Sequence, residues 1–237
     1  MRTCDQLVTV SEPLAAQIKW LHGREAKVIY SGYDEEDYAV EVPLTAKFTL
    51  TFTGTMYENR DPSPLFAAVS SLKNHGLVSL EGFEIRFFEY DLESRYLRDL
   101  IDKHGLQDLV KIYPAVPYQQ CVQKQKESTA LLFVGWKDPK EIGIISTKIF
   151  EYFGSGRPIL SLSSPEEVVS KFIMDARCGV VTLDSREIQN ILLVWTEEFR
   201  KYKNIISHQG AGAITRSKFT RREQTRRLAD VFNNFTC

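Results

Sequence analysis

The chain has 237 residues, of which 43% are hydrophobic and 26% are charged. This composition is typical of a globular protein with one or two cores, and it excludes a disordered chain. The 30 basic and 31 acidic residues leave a formal charge of −1, so no overall positive field would recruit nucleic acid.

The four cysteines and four histidines are scattered, without the spacing of metal ligands. We therefore expect reduced thiols and no bound metal. No apolar run approaches the roughly 20 residues that span a bilayer, and the first residues do not begin a signal peptide. These features predict a cytoplasmic protein.

In chain order, the sequence predicts an N-terminal strand–helix–strand unit, a polar linker at Asp34–Glu41 and then a regular alternation of strands and helices. The predicted strands are Gln6–Val10, Lys27–Tyr30, Phe48–Thr53, Phe83–Phe88, Val110–Tyr113, Ala130–Val134, Ile159–Leu162 and Gly179–Leu183. The predicted helices are Glu12–Leu21, Ser63–Lys73, Ser94–Lys103, Gln119–Glu127, one beginning near Lys148, Pro165–Met174, Arg186–Lys201 and Ser217–Phe235. This alternation predicts an α/β fold with a doubly wound parallel sheet, which binds ligands beyond the carboxyl ends of its strands.

The helix near Lys148 has its charges in an unfavourable order. Lys148 falls in the first turn, after the capping candidates Ser146 and Thr147, and Glu151 lies one turn later on the same face. A cation at a helix N-terminus opposes the helix dipole, and lysine before glutamate is the poorer pairing order. A bound anion would reverse that balance, because the helix N-terminus and Lys148 could hold a diphosphate while Glu151 accepts hydrogen bonds from a sugar diol. The alternative is a weak surface ion pair.

Two loops join this helix at the predicted ligand-binding edge. After the strand Phe48–Thr53, Gly54 can let the backbone approach a phosphate and Arg60 could supply a forked cation. Val116, between two prolines, follows a later strand where a flat base could lie. Each loop has a simpler interpretation, as a glycine turn and as a rigid strand-to-helix connection.

The last predicted helix has a basic face and an apolar face. We interpret the basic face as solvated in preference to a contact with anionic lipid, which stays as the alternative.

Three stretches resemble a known enzyme family. The segment Ser146–Leu160 resembles the signature of family-4-type glycosyltransferases of the GT-B fold, particularly bacterial polysaccharide enzymes. The stretch from Asp5 to Asp34 is similar to the end of that family's N-terminal lobe, and Phe52–Thr55 is similar to the start of its donor-binding lobe. Together these stretches extend from Asp5 to Leu160.

The resemblance implies a nucleotide-diphosphate-sugar donor. Glu151 would bind the ribose diol, Lys148 and Arg60 would hold the diphosphate and stabilise it as it leaves, and Val116 would contact the base. Gly54 would give close backbone approach, and Thr55 and Thr147 complete the predicted binding set. In that family, transfer usually retains the anomeric configuration and uses no bound metal. The acceptor is not specified, and peripheral membrane contact is compatible with the resemblance.

The chain departs from the family pattern in two ways. The first glutamate of the family's paired motif would stand at position 143, which is glycine. Most of the acceptor lobe, roughly another 150 residues, is also missing from the resemblance. We therefore expect residues 1–41 to be a remnant of that lobe with its hinge, 42–210 to be the donor-binding domain, and 211–237 to cross back. The isolated chain should then bind nucleotide but transfer sugar poorly. A nucleotide-sugar epimerase and a non-catalytic nucleotide-binding or interaction domain remain as alternatives.

Overall fold

The computed structural model describes residues 4–76, 82–92, 95–141 and 143–234. Within these ranges the strands are β1 (Leu7–Thr9), β2 (Ala26–Val28), β3 (Phe48–Thr53), β4 (Phe83–Glu89), β5 (Val110–Pro114), β6 (Ala130–Val134), β7 (Ile159–Leu162) and β8 (Gly179–Val181). The helices are α1 (Glu12–His22), α2 (Ser63–Asn74), α3 (Arg95–Lys103), α4 (Tyr118–Lys126), α5 (Lys148–Ser155), α6 (Val168–Ala176), α7 (Ser185–Tyr202), α8 (Ala213–Lys218) and α9 (Arg221–Asn233).

Strands β3 to β8 form one parallel sheet in the order β5-β4-β3-β6-β7-β8. The predicted doubly wound parallel sheet is thus confirmed. Successive crossovers run outward in opposite directions from the adjacent strands β3 and β6, which opens a crevice at their carboxyl ends. Strands β1 and β2 form a separate two-stranded parallel sheet.

Helices cover both faces of the main sheet, and β6 shows the arrangement in its side chains. Ala130, Leu132 and Val134 join the core formed with α2, α3 and α7. Leu131 and Phe133 point the other way, into the core formed with α5 and α6. A strand buried on both faces needs no polar alternation, which is why this sequence is apolar at every position.

Strand β3 differs because its second face is polar. Thr49 and Thr129 each donate a backbone N–H to the other's hydroxyl, at 3.1 and 3.2 Å. The Thr51 hydroxyl accepts from Arg86 Nε at 3.0 Å, and the Thr53 hydroxyl accepts from Gln125 Nε2 at 3.2 Å. These buried groups are hydrogen-bonded, so the threonines of β3 avoid the desolvation penalty of an unpaired polar atom.

The N-terminal unit rests on the helices of the main domain through aromatic side chains. The Tyr30 ring lies 6.2 Å from Phe150, 5.1 Å from Phe172 and 5.7 Å from Phe219, measured between centroids. A few residues later, the Tyr33 ring lies directly against Gly154 of α5. Tyr30 and Tyr33 therefore pack directly on α5 and α6.

The C-terminal segment forms two helices where the sequence predicts one from Ser217 to Phe235. The helix is interrupted at Phe219 and Thr220. The predicted end, Phe235, lies outside the described residues. Thr220 forms a β-bridge with Tyr33, and its hydroxyl caps α9 by accepting from Glu223 N at 3.1 Å. The predicted helix start is thus wrong, because Thr220 serves as a cap and a bridge instead of a helical residue.

Acidic side chains neutralise much of the basic face of α9. Arg226 pairs with Glu223 and Asp230, both at 2.8 Å. Arg227 pairs with the same Glu223 at 2.9 Å, and Arg222 reaches Glu35 in the linker at 2.9 Å. In the described part of the chain, no helix is long and apolar enough to cross a membrane.

Candidate functional site

A cleft of about 240 Å³ opens beside the crevice, where the carboxyl ends of β3, β4 and β5 meet α4 and the start of α5. Five of its lining residues belong to the set predicted from sequence: Gly54, Val116, Thr147, Lys148 and Glu151. The others are Thr53, Phe88, Tyr90, Ala115, Tyr118 and Cys121. The structure therefore brings together segments more than 90 residues apart at the edge where doubly wound folds bind ligands.

Lys148 lies across Gly54 and above an aromatic ring. Its Nζ is 4.5 Å from the centroid of Phe52. Gly54 has φ +107°, and a Cβ there would lie 2.5 Å from Lys148 Cε and 2.6 Å from Nζ. Only glycine leaves room at this position for the Lys148 side chain to enter the cleft. Close approach of the Gly54 backbone to a phosphate stays a prediction.

The protein groups around Lys148 stabilise its ammonium poorly. Burial lowers the pKa of Lys148 to about 8, and the nearby charge of Arg60 acts in the same direction. Glu151 and Glu89 oppose that shift without cancelling it. Lys148 makes no ion pair with any residue that the structure describes. A bound anion would supply the missing negative charge.

Glu151 lies one turn further along α5 and is held by an amide. Gln125 Nε2 of α4 donates to Glu151 Oε2 at 3.1 Å. Burial raises the pKa of Glu151, while the Gln125 hydrogen bond and the charge of Lys148 lower it. The carboxylate therefore faces the cleft with one oxygen fixed by the protein.

Thr147 opens the helix without capping it. It is the N-cap residue of α5, but its hydroxyl makes no capping hydrogen bond, so the predicted side-chain cap is absent. Thr147 is exposed and lines the cleft. The start of α5 thus leaves polar groups available to a ligand.

Arg60 is buried and is not among the residues that line the cleft. Its side chain is 3% exposed, Nη1 donates to the Val134 carbonyl at 2.8 Å, and the guanidinium lies 4.0 Å from the Trp136 ring centroid. Nε is buried without a hydrogen-bond partner in the described structure, and burial lowers the pKa of Arg60. Direct contact between Arg60 and a diphosphate stays a prediction. Thr55, partly buried beside Gly54, also lies outside the lining.

Glu89 organises the loops of the cleft, and sequence reasoning missed it. The residue is 2% exposed, and its carboxylate accepts from Met56 N at 2.6 Å and from Tyr90 N at 2.9 Å. It thereby ties the loop after β3 to the loop after β4. A glutamate at the end of a predicted strand carries no sequence signal for this role.

Gly143 contacts the N-terminal unit. Its carbonyl accepts from Ser11 Oγ at 3.0 Å, and a Cβ at this position would lie 2.9 Å from Cβ of Pro13. A larger residue would have to displace the start of α1. The structure thus gives a packing reason for glycine where the family motif has glutamate.

Among the described residues, no cluster of three or more His, Cys, Asp or Glu side chains could hold a metal ion. Within the described ranges, Cys4, Cys121 and Cys178 form no disulfide bond.

No protein-family model matches the sequence, and no curated protein matches it. Solved structures match in fold. Sucrose-phosphate synthase from Thermosynechococcus elongatus matches 98% of this chain with a TM-score of 0.72 and 11% identity. HepE (Alr3699) from Anabaena, solved with UDP-glucose, matches 98% with a TM-score of 0.73 and 16% identity. A glycosyltransferase from Rickettsia africae matches 97% with a TM-score of 0.71 and 12% identity.

The chain shares the GT-B fold of these proteins. The shared part is incomplete, because this chain spans 59%, 65% and 63% of their respective lengths. The fold implied by the sequence resemblance is confirmed. The binding residues and the domain boundaries stay predictions.

Proposed function

We propose that this chain is the donor-binding part of a glycosyltransferase that takes its sugar from a nucleotide-diphosphate sugar. The observation that carries the proposal is that Lys148 and Glu151 line the same cleft at the carboxyl edge of the sheet. Lys148 is a desolvated cation that forms no ion pair with a carboxylate among the described residues, and Glu151 is a fixed carboxylate one helical turn away. That arrangement suits a diphosphate followed by a ribose diol. HepE, which shares the fold, was solved with UDP and with UDP-glucose.

In this proposal the catalytic contribution is electrostatic. Lys148 and the N-terminus of α5 stabilise the negative charge that develops on the leaving diphosphate. Arg60, whose charge acts on Lys148, adds positive charge near the diphosphate, and Val116 and its neighbours contact the base. No protein nucleophile and no metal is required for these steps. We propose transfer with retention of configuration, as the sequence resemblance implies.

Nucleotide binding tests the proposal directly. Calorimetry with UDP, GDP and ADP should show binding of at least one of them by the wild-type chain. Lys148→Ala and Glu151→Ala should each weaken that binding about tenfold or more, because each removes a charge-assisted contact. Lys171→Ala, on an exposed position of α6, serves as the control. Unchanged affinity in both site variants would contradict the assignment.

Metal dependence and stereochemistry are separate measurements. Nucleotide affinity should be the same in EDTA and in Mg²⁺. Loss of binding in EDTA would contradict the proposal that nucleotide binding needs no metal.

The anomeric configuration of the product tests retention. It can be followed by NMR with a longer form of the protein that includes an acceptor lobe. The chain alone should transfer sugar poorly, so robust turnover by it would contradict the two-lobe requirement.

Gly143 supports a second candidate, a nucleotide-binding domain without catalytic activity. The residue that would contact the sugar in the family motif is a glycine packed against Pro13. If this candidate is correct, a nucleotide sugar should bind no more tightly than its nucleotide diphosphate. A tighter sugar complex would favour the transferase.

A further inference from the structure

Helix α4 carries a buried amide that reaches both the cleft and the linker to the N-terminal unit. Gln125 has no exposed surface, and sequence reasoning did not single it out. Its Nε2 donates to Glu151 Oε2 at 3.1 Å and to Thr53 Oγ1 at 3.2 Å. Its Oε1 accepts from the Tyr38 hydroxyl at 2.8 Å. One side chain therefore connects the linker, β3 and α5.

We propose that Gln125 is a positioning residue that holds Glu151 for the ribose hydroxyls, and that Tyr38 fixes the orientation of the Gln125 amide. This inference rests on the proposed function, because it assumes that Glu151 binds ribose. It adds that the preference of the site for a ribonucleotide depends on two residues outside the cleft lining.

The chemistry of the amide explains why Tyr38 matters. A glutamine side chain has an acceptor end and a donor end, and a rotation of its amide by 180° exchanges them. Burial raises the pKa of Tyr38, so its hydroxyl stays protonated and donates to Oε1. The NH₂ group then faces Glu151. The reverse orientation would place the amide oxygen against the carboxylate and turn the NH₂ group towards the Tyr38 hydroxyl.

Tyr38 is itself held firmly. Its ring packs edge-to-face on Tyr33 with centroids 5.4 Å apart, and its carbonyl accepts from Lys126 Nζ at 2.5 Å. Tyr33, Tyr38 and Val122 form a small buried cluster between the linker and α4. The hydroxyl of Tyr38 is thus a fixed donor.

The hydrogen bond from Gln125 affects both the position and the charge of Glu151. With Oε2 held by Gln125, Oε1 has no donor among the described residues and stays available to a ligand. The Gln125 hydrogen bond also favours the ionised carboxylate against burial. Other titratable groups act on Glu151 from its own helix and from the linker, α4 and α9: Lys148, Tyr152, Tyr38, Tyr118, Cys121 and Arg221.

The test compares a ribonucleotide with its 2′-deoxy counterpart, so that the ligand reports on the ribose contact alone. The pair is UDP and 2′-deoxy-UDP, or the GDP or ADP pair if that base binds more tightly. We expect the wild type to prefer the ribonucleotide about tenfold by calorimetry, as for a hydrogen bond to a charged group. In Gln125→Met the preference should fall to about twofold, through loss of ribonucleotide affinity. Tyr38→Phe should reduce the preference in the same direction but less.

The matched control is Gln123→Met, which makes the same change on the exposed side of α4 and should keep the wild-type preference.

The pH dependence of the ribonucleotide preference is a second, independent measurement. The preference should collapse as falling pH protonates Glu151, and in Gln125→Met this midpoint should lie at higher pH. Ionisation of the phosphates cancels in the ratio of the two affinities.

The possible outcomes test the positioning role of Gln125 separately from the proposed function. If Gln125 is merely structural, both affinities fall together in Gln125→Met and the preference and midpoint do not change, which would overturn the inference. Should that variant not fold, an unchanged preference in Tyr38→Phe would overturn it equally. If the wild type binds none of the nucleotides, the proposed function itself fails. If it binds but does not prefer the ribonucleotide, Glu151 is not the ribose contact.

Discussion

At the residue scale, Lys148 gives the site its clearest dependence on pH. Its pKa of about 8 in the folded chain means that the ammonium is lost between pH 7 and 9. We expect the affinity for a nucleoside diphosphate, measured by calorimetry, to fall several-fold over that interval in the wild type. Lys148→Met should bind weakly at every pH, with no such fall. An equal fall in the variant would show that another group controls binding.

The same lysine should lower the stability of the unliganded chain. Its folded pKa lies below the ordinary 10.5, so the unfolded chain binds more protons between about pH 8 and 10.5. The free energy of unfolding therefore rises with pH across that interval. At pH 7 we expect Lys148→Met to raise it by about 1 to 3 kcal/mol, and the gain should shrink towards pH 10. Urea denaturation at several pH values measures this, and a destabilised variant at pH 7 would contradict it.

Gly54 should be intolerant of a methyl group for two reasons. Alanine at φ +107° is strained, and its Cβ would collide with the Lys148 side chain. We expect Gly54→Ala to lower the free energy of unfolding by about 1 to 3 kcal/mol and to weaken nucleotide binding about tenfold. Gly105→Ala is the control, because that glycine has φ +64° with nothing within 4 Å of its Cβ. If both variants keep full nucleotide affinity, Lys148 does not need the space that Gly54 leaves for its side chain.

At the element scale, three strands match their sequence predictions to the residue: β3, β6 and β7. Each is bounded by clear turn or polar residues and is buried throughout, so its pattern is unambiguous. Helix α6 begins at Val168 instead of Pro165. There the Glu167 carboxylate accepts from Ser164 N at 3.1 Å and stabilises a turn before the helix. Such a local side-chain bond competes with the helix and leaves no periodic signal.

The site was predictable only where sheet topology determines it. Gly54 and Lys148 follow from the rule that parallel strands gather their carboxyl ends at one edge. Gln125 and Tyr38 do not, because their hydrogen bond joins residues 87 positions apart and depends on how the linker packs on α4. Arg60 contacts Val134 and Trp136 and does not line the cleft, so its contact with a diphosphate stays a prediction.

Helices α8 and α9 are attached to the main domain largely through Phe219. Its ring lies 5.3 Å from Phe150 and 5.4 Å from Phe172, measured between centroids. We expect Phe219→Ala to lower the free energy of unfolding by about 2 to 4 kcal/mol, measured with urea. Phe232→Ala, at a side chain that is 63% exposed on α9, should change it by less than about 0.5 kcal/mol. Similar losses in both would mean that α9 packs differently.

At the scale of the whole molecule, the paired arginines of α9 argue against a strong electrostatic attraction to membranes. Each of Arg222, Arg226 and Arg227 contacts a carboxylate. We therefore expect the chain to stay in the supernatant when vesicles rich in phosphatidylserine are sedimented at physiological salt. Sedimentation with the vesicles that is lost in Arg226→Gln would instead support the anionic-lipid alternative.

The packing of Tyr30 on Phe150 and Phe172 affects where this protein can be truncated. The linker at residues 34–41 resembles a domain boundary, and a shortened protein beginning at residue 42 would follow it. That protein would lose Tyr30 and Tyr33, and it would expose the Phe150 and Phe172 rings to water. A new apolar patch of this kind promotes aggregation. For expression and crystallisation, residues 4–33 are better kept as an integral part of the fold.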